Sequence, residues 1–283
     1  MLALTFNAFV WGVSWWPFRQ LEGAGLHPLW STVGVYALSV VALSVLRPQA
    51  WRELLGTPVL WVLVLASGTT NAAFNWAVTV GDVVRVVLLF YLMPLWAVLL
   101  ARWLLHEPLT HAALARIALA LAGAAFILWP EGGGWPVPRT LAEGLGLLGG
   151  FSFALNNVML RREARRSEAA RALAMFTGGV LVAGLPAWLL ATQGGVAWPP
   201  PVAWGWGLGM LVLGALFLAS NLALQYGAAR LPANVTAVVM LTEVLFASVS
   251  SLLLGAGTLD ARLAVGGAAI IAAALLAARE HTA

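Results

Sequence analysis

The sequence has no cysteine and no lysine, and only 9% of its 283 residues are charged. Without cysteine, disulfides are excluded and the redox compartment leaves no mark on the chain. With so few charges against 61% hydrophobic residues and a mean hydropathy of +0.90, a soluble fold would have almost nothing to turn toward water. The four histidines, His27, His106, His111 and His281, fall at the ends of apolar segments or near the last residue, and no carboxylates cluster with them. No metal ligand set and no cofactor are therefore expected, which speaks against a membrane-embedded enzyme.

What the chain does have is a series of long apolar runs, many reaching the ~20 residues that carry a helix across a bilayer. Ten spans are predicted: 2–18, 28–46, 58–79, 83–104, 111–129, 141–160, 171–191, 203–226, 233–254 and 261–278. The expected fold class is an all-α integral membrane protein. All 15 basic residues are arginine, and with the N-terminus inside, 11 of them fall on the cytoplasmic side and 4 on the other. The positive-inside rule then puts both termini in the cytoplasm. The net charge of +4 and pI near 10.6 come largely from Arg161, Arg162, Arg165 and Arg166 between spans six and seven. That run reads as a topogenic loop that also meets anionic headgroups, and no nucleic-acid partner is expected. The first span lacks a basic lead-in and ends in Trp15-Trp16-Pro17-Phe18-Arg19, so it reads as retained rather than as a cleaved signal.

The breaker-rich stretch from Pro130 to Pro138 separates two sets of five spans, giving a first repeat over 1–129, an extracytoplasmic linker over 130–140 and a second repeat over 141–283. An odd number of spans per repeat makes the two halves enter the membrane from opposite sides, the arrangement that serves alternating access. A shift of 150 residues sets Asn7 on Asn157, Asn71 on Asn221, Asn75 on Gln225 and Trp76 on Tyr226. Spans five and ten share runs of alanine and glycine, which suit a scaffold or a homodimer contact. Trp51, Trp61, Trp103, Trp129, Trp198 and Trp204 sit near span ends, as in an interfacial belt.

Amides are costly in hydrocarbon, so matched ones point to a cavity or to interhelical hydrogen bonds. Asn71 with Asn75, and Asn221 with Gln225, lie four apart on one helix face each. Asn7 and Trp11 share a stripe of span one with Ser14 and Trp15, and Asn156 and Asn157 lie in span six. Trp11 and Trp76, deep in their spans, offer an aromatic wall to a solute or simply pack. Glu243 lies about ten residues from either end of span nine. There it is a proton-coupling or solute-orienting group, a neutral hydrogen-bond donor between helices, or a partner for Arg85. Tyr91 and Pro94 stand mid-way in span four, where the proline removes a hydrogen bond to the Phe90 carbonyl and makes a packing kink or a hinge. Arg85 near the outer end pairs with Asp82, reaches headgroups, or guards the mouth.

The stretch from Leu4 to Pro17 with Trp11-Gly12, the run Tyr91-Leu92-Met93-Pro94-Leu95-Trp96, the ending Glu107-Pro108-Leu109-Thr110 and the segment Met240 to Leu254 resemble the ten-helix EamA branch of the drug/metabolite transporter superfamily. The resemblance implies a bacterial inner-membrane transporter with a central cavity formed by both halves, often an exporter of amino acids or related metabolites. Its partners would be the lipid bilayer and a small-molecule substrate. Uptake or passive facilitation of another small polar or amphiphilic metabolite is the alternative. The chain departs from the family pattern at Gly257, opposite Glu107, and at Val244, where a proline often follows the glutamate.

Overall fold

A computed structural model describes residues 1–106, 110–129, 135, 137–228, 239 and 242–280, and among these every regular element is helical. The helices are α1 (Leu2–Val13), α2 (Trp15–Gly23), α3 (Pro28–Leu46), α4 (Gln49–Gly56), α5 (Leu60–Val80), α6 (Val83–Phe90), α7 (Met93–Leu104), α8 (His111–Leu128), α9 (Leu141–Arg162), α10 (Glu168–Thr192), α11 (Trp204–Ala228), α12 (Thr242–Leu253) and α13 (Ala261–Glu280). Five stretches are long and apolar enough to cross a membrane: Pro28–Leu46, Val83–Leu104, His111–Leu128, Glu168–Thr192 and Trp204–Leu224. The pair Gln49–Gly56 and Leu60–Val80, bent by 101°, makes a sixth if taken as one span. Glu107, Pro108, Leu109, most of the 130–138 linker, Met240 and Leu241 lie outside the described residues.

Local chemistry explains the boundaries. Polar side chains accept from the free N–H groups at helix starts: Asp82 from Arg85 N, Thr110 from Ala113 N and Ser167 from Ala170 N. Thr140 and Glu143 form a reciprocal capping box on α9. Two expected spans are broken, and by the same device. Pro17 has no N–H to give the Val13 carbonyl, and the chain breaks at Ser14, whose N–H and hydroxyl both turn to the Trp11 carbonyl. Pro94 likewise has no N–H for Phe90, and the break falls at Tyr91-Leu92 between α6 and α7. The short helix α4 occupies a stretch the hydropathy pattern leaves as a loop. Ala50 and Leu54 are buried on one side of it while Arg52 and Leu55 are exposed on the other.

The packing pairs form a closed circuit. α1 packs on α11, α11 on α3, α3 on α10, α10 on α5, α5 on α9, α9 on α6 and α7, α6 on α12, and α12 back on α1. α8 and α13 pack on each other outside this ring, and α13 lies against α6. Close approaches are made where a side chain is missing. A Cβ on Gly68 would meet the Gly178 carbonyl at 2.3 Å, and one on Gly123 would meet the Gly266 carbonyl at 2.6 Å. The alanine- and glycine-rich faces of α8 and α13 are thus spent on each other.

Candidate functional site

The interior of the ring is reached first by Trp11. On α1 the exposed residues Leu2, Phe6 and Phe9 mark the outer face, and Trp11 lies on the opposite one. Its ring meets Phe217 of neighbouring α11 edge-on at 4.7 Å, and Phe74 of α5, across the ring, at 6.1 Å. Phe74 meets Phe90 at 4.9 Å, and Phe90 meets Tyr91 at 6.2 Å. Aromatic edges therefore cross the lumen from α11 to the break between α6 and α7.

At that break the Tyr91 hydroxyl donates to Glu243 Oε2 at 3.3 Å, with both side chains buried. Glu243 begins α12 and is seated against α1 at Gly12, where a Cβ would lie 2.8 Å from the Glu243 carbonyl and 2.7 Å from Phe246 Cβ. Gly12 is thus the contact that lets α1 and α12 touch beside Trp11. The equivalent contact on the other side of the broken span is Gly150, whose Cβ would meet the Phe90 carbonyl at 2.4 Å. That carbonyl is the one Pro94 leaves without its helical donor.

The predicted residues divide into those that meet the lumen and those that do not. Asn7 donates to Ser220 through its carbonyl at 2.9 Å and its hydroxyl at 2.6 Å, tying α1 to α11, with Asn221 half-buried beside it. Asn71 and Asn75 turn toward α3. Asn71 accepts from the Tyr36 hydroxyl at 2.6 Å and donates to the Ser67 carbonyl at 2.8 Å, and Asn75 donates to Thr32 Oγ1 at 3.0 Å. These two act as interhelical hydrogen-bond partners. Trp76 packs edge-on to His27 at 5.0 Å, at the start of α3. Burial holds His27 below its ordinary pKa, and its neutral Nδ1 accepts from Leu29 N. Asn157 is exposed on the face of α9 opposite the exposed Leu148 and Phe151, one or two turns beyond the glycines that meet Phe90, while Asn156 beside it is buried. Tyr226 is exposed on the same side of α11 as Leu208, Leu211 and Leu222. The side chains of Pro94 and Gln225 lie outside the described residues.

Arg85 pairs with neither Asp82 nor Glu243. Its guanidinium meets Glu143 at 2.8 Å and donates to the Ile127 carbonyl at 2.8 Å. Asp82 instead accepts from Thr258 N at 2.7 Å and Thr258 Oγ1 at 3.1 Å. Arg19 of α2 donates to the Val78 and Gly81 carbonyls at the end of α5, and Trp15 Nε1 donates to Ser250 of α12 at 3.0 Å. One end of the ring is thus cross-tied by polar contacts from five directions, with α2 lying over its mouth against α3, α5 and α11. Sequence reasoning missed this set apart from Arg85, because half of its acceptors are backbone carbonyls, which leave no mark in side-chain pattern, and the rest are met from distant helices.

A ring of apolar helices with a broken span, a buried carboxylate and aromatic side chains packed at its centre has the build of a multi-pass membrane protein. Residues 1–129 match the EamA-like transporter family, and that match implies a membrane transporter of the drug/metabolite type. A solved crystal structure of another protein, 20% identical, superposes with a TM-score of 0.53 over 98% of this chain and 96% of its own, which shows a shared fold. No protein with a curated functional description matches the chain.

Proposed function

We propose that this protein is a secondary-active carrier in a bacterial inner membrane, exporting small polar or amphiphilic metabolites by alternating access, with neutral and aromatic amino acids the first class to test. In this reading the chain is two five-span repeats, 1–129 and 141–283, inverted with respect to each other and joined by the 130–140 linker, with both termini cytoplasmic. The exchange of packing partners supports the inversion: α1 on α11 answers α9 on α5, α3 on α11 answers α10 on α5, and α1 on α12 answers α9 on α7. The offset between corresponding helix starts grows along the chain, from Leu2 and Leu141 to His111 and Ala261. A constant shift of 150 fits only the last pair, so Asn157 is not the counterpart of Asn7.

The observation that carries the carrier reading is the broken span α6–α7 with Glu243 and Trp11 beside it, inside a ring whose α6 end is cross-tied through Arg85 and Asp82. A buried carboxylate at a broken span, with Asn157 exposed two turns beyond Gly150 on α9, suits one state of an alternating cycle. Asn7, Trp11, Tyr91, Asn157 and Asn221 line the proposed path, Glu243 couples or orients, and Pro94 supplies the hinge. Saturable counterflow in proteoliposomes preloaded with unlabelled solute tests it. Linear, unsaturable entry would make the protein a passive pore, and chemical conversion of the solute would make it an enzyme.

A further inference from the structure

We propose that the central site takes an organic cation, a protonated amine on a flat apolar or aromatic body, with Glu243 as its counter-charge. This rests on the carrier reading and narrows its substrate class.

The inference follows from fixed charge at the membrane mid-depth. Among the described residues Glu243 is the one carboxylate inside an apolar run; Glu22, Asp82, Glu143, Glu163, Glu168, Asp260 and Glu280 stand at helix ends or in the turns joining them, and Glu53 lies in the short helix α4. No described arginine pairs with it, and Arg85 of α6 is engaged by Glu143 and a carbonyl. The groups facing Glu243 from its neighbours are Gly12 of α1 and Tyr91 at the end of α6, and neither brings a positive charge. Its only described partner is the Tyr91 hydroxyl, at 3.3 Å, which is long for an O–H···O bond. Oε1 accepts from no described residue. A carboxylate in hydrocarbon with one weak donor is poorly compensated, and an ammonium supplies both the charge and the missing donors.

The aromatic surroundings match the rest of such a ligand. Trp11, Phe74, Phe90 and Tyr91 run edge to edge up to the carboxylate, a set of rings that an aromatic body would pack among and whose π-faces suit a cation. A zwitterionic amino acid would find a partner for its ammonium, while its own carboxylate would stand close to Glu243 with no described cation to offset the repulsion. The site therefore distinguishes an aromatic amine from the amino acid that carries the same ring.

The test compares tryptamine, phenethylamine, tryptophan and N-acetyltryptophan as ligands of the purified full-length protein, by thermal shift and by quenching of intrinsic fluorescence. Counterflow of labelled tryptamine is measured in parallel. The amines are expected to bind at least tenfold more tightly than tryptophan, and N-acetyltryptophan not at all. Glu243→Gln should lose amine binding at least tenfold with an unchanged melting temperature, and Glu243→Asp should retain most of it. Equal affinity for amine and amino acid, no amine binding to folded protein, or binding indifferent to Glu243→Gln overturns the proposal. Amine binding lost in Glu243→Gln without counterflow in the parent would uphold the cation site and sink the carrier reading. Saturable exchange of neutral solutes indifferent to Glu243→Gln would do the reverse.

Discussion

Replacing Arg85 with methionine should open the tied end of the ring. The Arg85–Glu143 pair at 2.8 Å joins a side chain 36% exposed to one only 8% exposed. Exposed pairs are worth about 0.2–1 kcal/mol, and breaking a buried one costs about 3–5 kcal/mol. Glu143 would not be orphaned, because its Oε2 still accepts from Arg139 N at 2.8 Å and Thr140 N at 3.3 Å. The contribution therefore falls between the two limits, about 1–3 kcal/mol, which as a coupling energy is a ~5- to 150-fold shift between states. With no native cysteine, a single cysteine in place of buried Val84, which lies against Gly257 beneath the Asp82–Thr258 contact, reports on that shift. A membrane-impermeant maleimide should label Val84→Cys slowly in the parent and about tenfold faster or more with Arg85→Met, and Glu143→Gln should act in the same direction. Equal labelling rates in folded protein with the pair intact and broken would refute the argument that this contact holds the end closed.

Gly150→Ala should lower the melting temperature through an overpacking cost of about 1–3 kcal/mol, since the new methyl would sit 2.4 Å from the Phe90 carbonyl; an unchanged melting curve would mean that α9 does not press on the break. Tyr36→Phe removes the 2.6 Å bond to Asn71 and should cost about 0.6 kcal/mol, the mean for such bonds in membranes, while leaving substrate affinity alone. A changed affinity would return Asn71 to the path. At the other face Glu53 accepts from Ser167 Oγ and Ser167 N, and the side-chain bond first, with the backbone bond and nearby Arg166 and Arg171, holds its pKa below the ordinary carboxylate value against the opposing effect of desolvation. A depressed carboxylate stabilises above its unfolded pKa and loses that contribution as pH falls through the folded one. Protection factors in α4, taken relative to the intrinsic exchange rate, should fall in acid below the usual carboxylate range, and Glu53→Gln should abolish that fall.

Much of the helical layout was legible because it depends on local chemistry. The limits of α3 agree with the apolar run 28–46, and α8 ends one residue short of the expectation. Glu243 was found because a lone carboxylate in an apolar run has few uses, and its depth beside the Pro94 break follows from the two sequences together. What escaped depends on tertiary partners. Asn71 and Asn75 read as cavity residues, yet Tyr36 and Thr32 meet them, and nothing in either sequence window says which helix will lie alongside. Pro17 read as a span end, whereas it breaks a continuing helix at Ser14. Trp76 and Tyr226 matched by shift, but one packs on His27 and the other is exposed on its helix, because the repeat offset is not constant.

The order of helices around the ring carries a consequence for biogenesis. Read round the circuit, α1, α11, α3, α10, α5, α9, α6–α7 and α12 alternate between the earlier and the later half of the chain at every step. While the ribosome is still translating, the early helices have almost none of their final neighbours, and α8 waits for α13, the last helix to emerge. Neither half can close a ring by itself, so each made alone should be a substrate for membrane quality-control proteases. Made together as two polypeptides divided in the linker, they should survive, because the most extensive contacts of each half are supplied by the other.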